Sequence, residues 1–206
     1  RQRAAAAPAP AHHHGLGLSL LHQGKHDAAR ISLQKAVEGF RSARDLMAEA
    51  TALGSLAALQ MKLGENDQAR ESFSLIAGLM KSAGDVQGEA AAWQDVSRLD
   101  MMKGDLKAAR EGLLLSLQLL REAGDSSGSS IALFNLASLD MENGDFAAAG
   151  AEFQEALPLF EERKDLSGTA AIHHSLGMIH SQAGEKEKAK NSFLLTLSRL
   201  GVDHAQ

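Results

Sequence analysis

Histidine, methionine and arginine are the residues of this chain whose spacing suggests chemistry. Nine histidines are present. His12, His13 and His14 adjoin one another, His22 and His26 straddle a turn, and His173, His174 and His180 fall together. His173 and His180 stand seven apart, on one face of a helix, and offer two imidazole ligands to a metal ion. No carboxylate or third ligand follows at an obvious interval, so no metal is expected, and the histidines read as surface or packing residues. Met61, Met101 and Met141 recur at forty-residue intervals, with Met102 and Met178 close by. Such a stripe suits either a soft apolar surface for varied side chains or the filling of core gaps. Arg30, Arg70, Arg110 and Lys190 recur in the same way and read as a solvated helix face in preference to a ligand site. Nucleophile elbows, Walker loops, HExxH and dinucleotide-binding glycine fingerprints are absent. With no acid–base pair or nucleophile constellation to name, neither catalysis nor a cofactor is expected.

Composition narrows the remaining classes. The chain has 206 residues, 44% hydrophobic and 23% charged, with 19 Gly, 3 Pro and no Cys. That is enough apolar material for a sizeable core and argues against wholesale disorder. The lack of cysteine excludes a disulfide framework, a thiolate nucleophile, an iron–sulfur cluster and any cysteine zinc site. A formal charge of −5 argues against a domain that works by gripping phosphate backbones, so no nucleic-acid partner is expected. No stretch approaches the roughly 18 consecutive apolar residues of a membrane span, and no secretory signal opens the chain. A cytoplasmic location is the expectation, with the periplasm left open.

The elements that must position these residues come from an internal repeat. Glycine recurs at Gly24, Gly64, Gly104, Gly144 and Gly184, and five residues after each stands Ala29, Ala69, Ala109, Ala149 or Ala189. Eight residues before each glycine lies Leu16, Leu56, Val96, Leu136 or Leu176, followed at once by a small residue: Gly17, Ala57, Ser97, Ala137 or Gly177. Nine after it comes Leu33, Phe73, Leu113, Phe153 or Phe193. The apolar series Ala109, Leu113, Leu117, Leu120 steps by four, four and three, the spacing of one helical face. Glycine beside aspartate at 84–85, 104–105, 124–125 and 144–145 ends one helix and caps the next. Each unit is thus two antiparallel helices. The pattern predicts helices at 11–23, 27–43, 46–63, 67–83, 86–103, 107–123, 126–143, 147–163, 166–183 and 187–200, with no strands. The small residues mark helix crossings where only a Cβ fits, and neighbouring pairs bury one another's apolar faces as a solenoid.

These residues resemble the tetratricopeptide repeat family. Trp93-x-x-Val96-Ser97…Gly104…Ala109…Leu113 and Leu133-x-x-Leu136-Ala137…Gly144…Ala149…Phe153 carry the likeness, which extends over residues 11–200 in five repeats. The period is forty where about 34 is usual. The family's aromatic four residues after the leucine is replaced by Leu20, Gln60, Asp100, Asp140 and His180, and the helix-ending proline is missing. The resemblance implies an all-α, right-handed superhelical α-solenoid of antiparallel helix pairs, in which the first helix of each pair lines a concave groove. By register, the groove positions are His14, Leu18 and Leu21; Gly54, Ala58 and Met61; Gln94, Arg98 and Met101; Phe134, Asn135, Ser138 and Met141; His174 and Met178. Met101, Phe134, Met141 and Met178 would anchor a peptide or helix of a partner protein, with Arg98 and Asn135 orienting it. Lysines are missing at the positions of the family's full carboxylate clamp, so that specificity is not carried over.

The ends depart from the pattern. Residues 1–10, rich in Ala and Pro, read as a linker, with Pro8 and Pro10 blocking helix propagation; the start at Arg1 suggests a piece of a longer polypeptide. Pro158 falls inside a predicted helix, where it should kink or end it. The last helix offers Phe193, Leu194, Leu197 and Leu200, an apolar surface expected to be covered by further chain, by a second copy in a homodimer, or by a partner. The leading expectation is a non-catalytic interaction scaffold. The alternatives are a structural protein that assembles through its ends and the sensory part of a larger regulator.

Overall fold

A computed structural model describes residues 9–201, and among them the helices follow the predicted series to within one residue at each end: α1 (Pro10–His22), α2 (His26–Ala43), α3 (Leu46–Lys62), α4 (Asn66–Ala83), α5 (Val86–Lys103), α6 (Leu106–Glu122), α7 (Ser126–Glu142), α8 (Phe146–Glu162), α9 (Leu166–Gln182) and α10 (Lys186–Arg199). The chain divides into two units, Arg1–Asp105 with α1–α5 and Leu106–Gln206 with α6–α10. Within each unit every helix packs on the next in chain order, and connections this short make consecutive helices antiparallel. Among the described residues there is no strand. The fold is all-α, built of stacked helix pairs.

Punctuation explains why the boundaries were readable. Asp45, Asp85, Asp125, Asp145 and Asp165 cap α3, α5, α7, α8 and α9, each carboxylate accepting the amide of the residue three on, at 2.8–3.1 Å. At the other end the chain needs a left-handed residue to reverse, and Gly84 and Gly124 supply it at φ 73° and 68°. Arg44 and Lys164 occupy the same place in their repeats at φ 57°, a conformation that strains a residue with a Cβ. Two prolines act differently from expectation. Pro10 opens α1 from its first turn, where a missing amide donor costs nothing; residues 1–8, the rest of the predicted linker, lie outside the described residues. Pro158 sits within α8 on its exposed side, and the helix continues past it to Glu162.

Small residues set the distance between helices. Ala29, Ala69, Ala109 and Ala149 have no exposed surface, and neither do Ala57, Ser97 and Ala137. A Cβ on Gly17 would stand 2.7 Å from the Leu33 side chain, and one on Gly177 would stand 2.6 Å from Phe193. A second set of glycines, which the sequence reading passed over, lies where one pair meets the next. Gly88 of α5 faces Met80 of α4, Gly128 of α7 faces Leu120 of α6, and Gly168 of α9 faces Phe160 of α8, each too close for a side chain.

The recurring arginines are not a solvated face. Arg70 on α4 reaches across to Asp100 on α5, its Nε and Nη2 donating to the two carboxylate oxygens at 2.5 and 3.0 Å. Arg110 on α6 makes the same fork to Asp140 on α7 at 3.0 and 3.1 Å. Both aspartates are buried, at 3% and 1% exposure, a state that only a paired and hydrogen-bonded charge tolerates. Arg30, opposite Gln60, turns instead to Glu65, donating at 2.6 and 2.7 Å, and Gln60 accepts from the Ser72 hydroxyl at 2.9 Å. Two of the residues that replace the family aromatic, Asp100 and Asp140, are therefore the acceptors of Arg70 and Arg110, and their pairing went unread for a simple cause. The partner stands thirty residues away, on another helix, beyond the reach of local pattern.

Arg110 serves a second carboxylate. Glu152 on α8 approaches it at 3.7 Å with its side chain only 14% exposed, and its Oε2 has no hydrogen-bond partner. Burial, reinforced by the Asp140 charge and opposed by Arg110, pushes the Glu152 carboxyl from an ordinary 4.5 up to about 7.

Two measurements check these assignments. Replacing Arg44 by glycine relieves the left-handed strain and should raise stability by about 0.5–1 kcal/mol, seen as a melting temperature higher by about 1–4 °C. For Glu152, the folded carboxyl holds its proton to a higher pH than the unfolded one, so stability falls as pH rises from 4.5 to about 7 and the loss is complete above that window. Glu152→Gln should melt higher than the wild type at pH 8, by a difference on the order of 2–3 kcal/mol, and the two should converge at pH 4. A constant difference between the two proteins across that range would exclude the shift.

Candidate functional site

The odd-numbered helices each bury one side in the stack and leave a stripe on the other. On α5 the half-buried and exposed residues Gln94, Asp95, Arg98 and Met101 recur at helical spacing, as Phe134, Asn135, Ser138 and Met141 do on α7. This stripe is where the groove positions were expected, and its chemistry differs between positions.

In the first unit the stripe is joined across helices. The His14 Nε2 on α1 lies 2.9 Å from the Ser55 hydroxyl on α3. Arg98 on α5 brings its Nη2 to 3.7 Å from the Met61 sulfur on α3, so two of the predicted residues form one surface. The same guanidinium donates to Asp95 at 2.7 Å. Arg98 is thereby held in place on its own helix, and an anion approaching it competes with a carboxylate already there. Met61, Gln94 and Met101 are half-buried, neither core filling nor fully solvated.

In the second unit Phe134 turns inward. Its ring stands 5.6 Å from that of Phe153 edge-on and 5.9 Å from that of Phe160, both on α8, so it is a wedge in the pair and only its edge is available to a ligand. The Ser138 hydroxyl donates to the Phe134 carbonyl at 2.8 Å. Asn135 and Met141 are half-buried, His174 is exposed with its ring 5.6 Å from that of Phe193, and Met178 is 48% exposed. Ile131, one turn before Phe134 and Asn135, was missed. It is 43% exposed, and its signal was a β-branched apolar residue in register with Thr51, Ala91 and Ala171.

The histidine pair does not form a ligand set. Seven residues of helix separate His173 and His180 by about 10 Å along the axis, too far for one ion. His173 is buried, its Nε2 without a partner, and desolvation holds its pKa below the usual imidazole value. His180 instead meets the Glu185 carboxylate through Nδ1 at 2.7 Å. Among the described residues no group of three metal-ligating side chains comes together, and no helix is long and apolar enough to cross a membrane.

Comparison with known proteins places this arrangement. Residues 128–200 match the sequence model of the tetratricopeptide repeat, and residues 17–88 match that of anaphase-promoting complex subunit 5. No curated protein matches the chain in sequence. Among solved structures, BtubC from P. vanneervenii is 16% identical with a TM-score of 0.78, over 93% of this chain and 79% of its own. Nearly identical TPR-like repeats from Podosopora anserina are 15% identical with a TM-score of 0.72, over 97% of this chain and 100% of theirs. A Rap protein complexed with Competence and Sporulation Factor is 16% identical with a TM-score of 0.66, over 92% of this chain and 53% of its own. The tetratricopeptide-repeat sequence pattern is thus matched in residues 128–200, the same forty-residue register continues upstream, and the fold is that of TPR-like repeats over nearly the whole length.

Proposed function

We propose that the exposed stripe of the odd-numbered helices binds an extended or helical segment of another protein, without catalysis. The observation that carries this reading is the repeated row of half-exposed apolar residues, Met61 and Met101 in the first unit and Met141 and Met178 in the second. Unbranched thioethers adapt to side chains of different shape. Within each unit, residues recurring once per repeat meet a ligand at successive points, and such multiple contact gives affinity to a peptide that has no fold of its own. Arg98 beside the row of the first unit and Asn135 beside that of the second carry polar groups that would orient the ligand's backbone on their own unit. The Rap protein of the same fold, whose structure holds Competence and Sporulation Factor, supports the reading by analogy of fold. Phe134, with its ring committed to Phe153 and Phe160, contributes shape and not a free anchor.

The test is a selection of binders from a phage-displayed random peptide library on the immobilised protein. Met141→Glu combined with Met178→Glu should weaken the selected peptides at least about tenfold, a loss of about 1.4 kcal/mol, with the helical circular dichroism and melting temperature retained. Unchanged affinity in that double variant would move the binding surface off the odd-numbered helices.

A further inference from the structure

The stripe of the first unit carries charge at one place. Arg98 on α5 donates through Nη2 to Asp95, three residues before it on the same helix, at 2.7 Å, and the same nitrogen lies 3.7 Å from the Met61 sulfur on α3. The groove positions beside them, Gly54, Ala58 and Met61 on α3 and Gln94 and Met101 on α5, are uncharged. Repeat register adds that the two charges come and go together. In the other four repeats both places are uncharged, as in Ser55 with Ala58 on α3 and Asn135 with Ser138 on α7. No repeat sets a cation there without its anion. One turn beyond, Lys62 and Glu142 are charged, but they are exposed final residues of α3 and α7.

We propose that the occupant of the first unit's stripe is a peptide segment with no charged side chain where it crosses α3 and α5, and that Asp95 is the specificity-determining residue that enforces this. The inference rests on the reading of the stripe as a peptide-binding surface. In the free protein the pair is half-exposed, with 46% of the Arg98 side chain and 39% of the Asp95 side chain accessible, and a surface pair of this kind adds little to stability. A ligand lying over it removes the water, and charges then act on one another more strongly. An acidic ligand residue would bring a second anion to a guanidinium that Asp95 already neutralises, and desolvating that excess costs more than the contact returns. A backbone carbonyl or side-chain amide brings no charge. The guanidinium has five N–H donors, and its contacts with Asp95 and Met61 both use Nη2, so its other edge suits a neutral acceptor. Met61 and Met101 beside it suit apolar side chains. Asp95 thus acts by exclusion: without it Arg98 would be an unpaired cation in the middle of the stripe and would select acids.

The probe is a phage-displayed random peptide library, selected in parallel on the immobilised wild-type protein and on Asp95→Asn. That substitution copies what α7 carries at Asn135, and it should leave the helical circular dichroism unchanged. Binders of this stripe are those that Met61→Ala combined with Met101→Ala weakens at least about tenfold. Among them, charged residues should be depleted on the wild type, and Asp and Glu should be enriched on Asp95→Asn. A wild-type binder resynthesised with Glu at each position in turn should include one form that binds Asp95→Asn about tenfold more tightly than the wild type. Adding Arg98→Gln to Asp95→Asn should erase that gain, which assigns it to the guanidinium. Equal acidic content on the two proteins, or acidic peptides favoured by the wild type, would overturn the proposal and leave the peptide-binding reading standing. Binders that ignore Met61 and Met101 would instead remove the first unit's stripe as the site, and the proposal with it.

Discussion

The structure depends on how closely the second helix of one pair can approach the first helix of the next. At Gly88, Gly128 and Gly168 the approach leaves no room for a side chain, and the buried alanines set the same limit inside the pairs. Interiors packed at crystalline density transmit such limits without slack. A repeat with one residue inserted would bring a larger group to the crossing, which accounts for a forty-residue period that runs without interruption from Gly24 to Gly184.

Apolar contact of this kind is tight but not selective, and the polar groups within it supply the selectivity. Arg70 with Asp100 and Arg110 with Asp140 satisfy each other only when the two helices sit in one register, and a slip of one turn would leave a buried carboxylate unpaired. A buried pair adds little net stability against an apolar substitute, but breaking one is costly. The variation supports this role. Gln60 is matched by Ser72, Arg30 is redirected to Glu65, and Gly150 faces a repeat in which the aspartate has become His180. Glu152 is the exception, a second carboxylate sharing one guanidinium, and its raised pKa follows first from burial and then from the neighbouring Asp140 charge.

Much of this was legible in the sequence. Helix ends were readable because glycine and aspartate are dictated there by backbone geometry and capping, which act within a few residues. The crossings were readable because the small residues recur at a fixed interval. The arginine pairs were hidden for the opposite reason: a cation one position after the signature alanine looks solvated until its acceptor on another helix is known. Gly88, Gly128 and Gly168 recur as regularly as the signature glycines and were overshadowed by them. At the candidate site, register gives positions but not the direction of side chains: Phe134, expected to anchor a partner, packs its ring on Phe153 and Phe160, Arg98, expected to orient one, is engaged by Asp95, and Ile131 was overlooked.

The stacking that buries one side of each odd-numbered helix leaves the other side as a repeated surface, and the proposed binding role rests on that division. Hydrogen exchange followed by mass spectrometry, with and without a saturating peptide chosen for binding, tests it most directly. Slower exchange in α3, α5, α7 and α9, with α4, α6 and α8 unchanged, is the predicted result. Slowing confined to the even-numbered helices would contradict it.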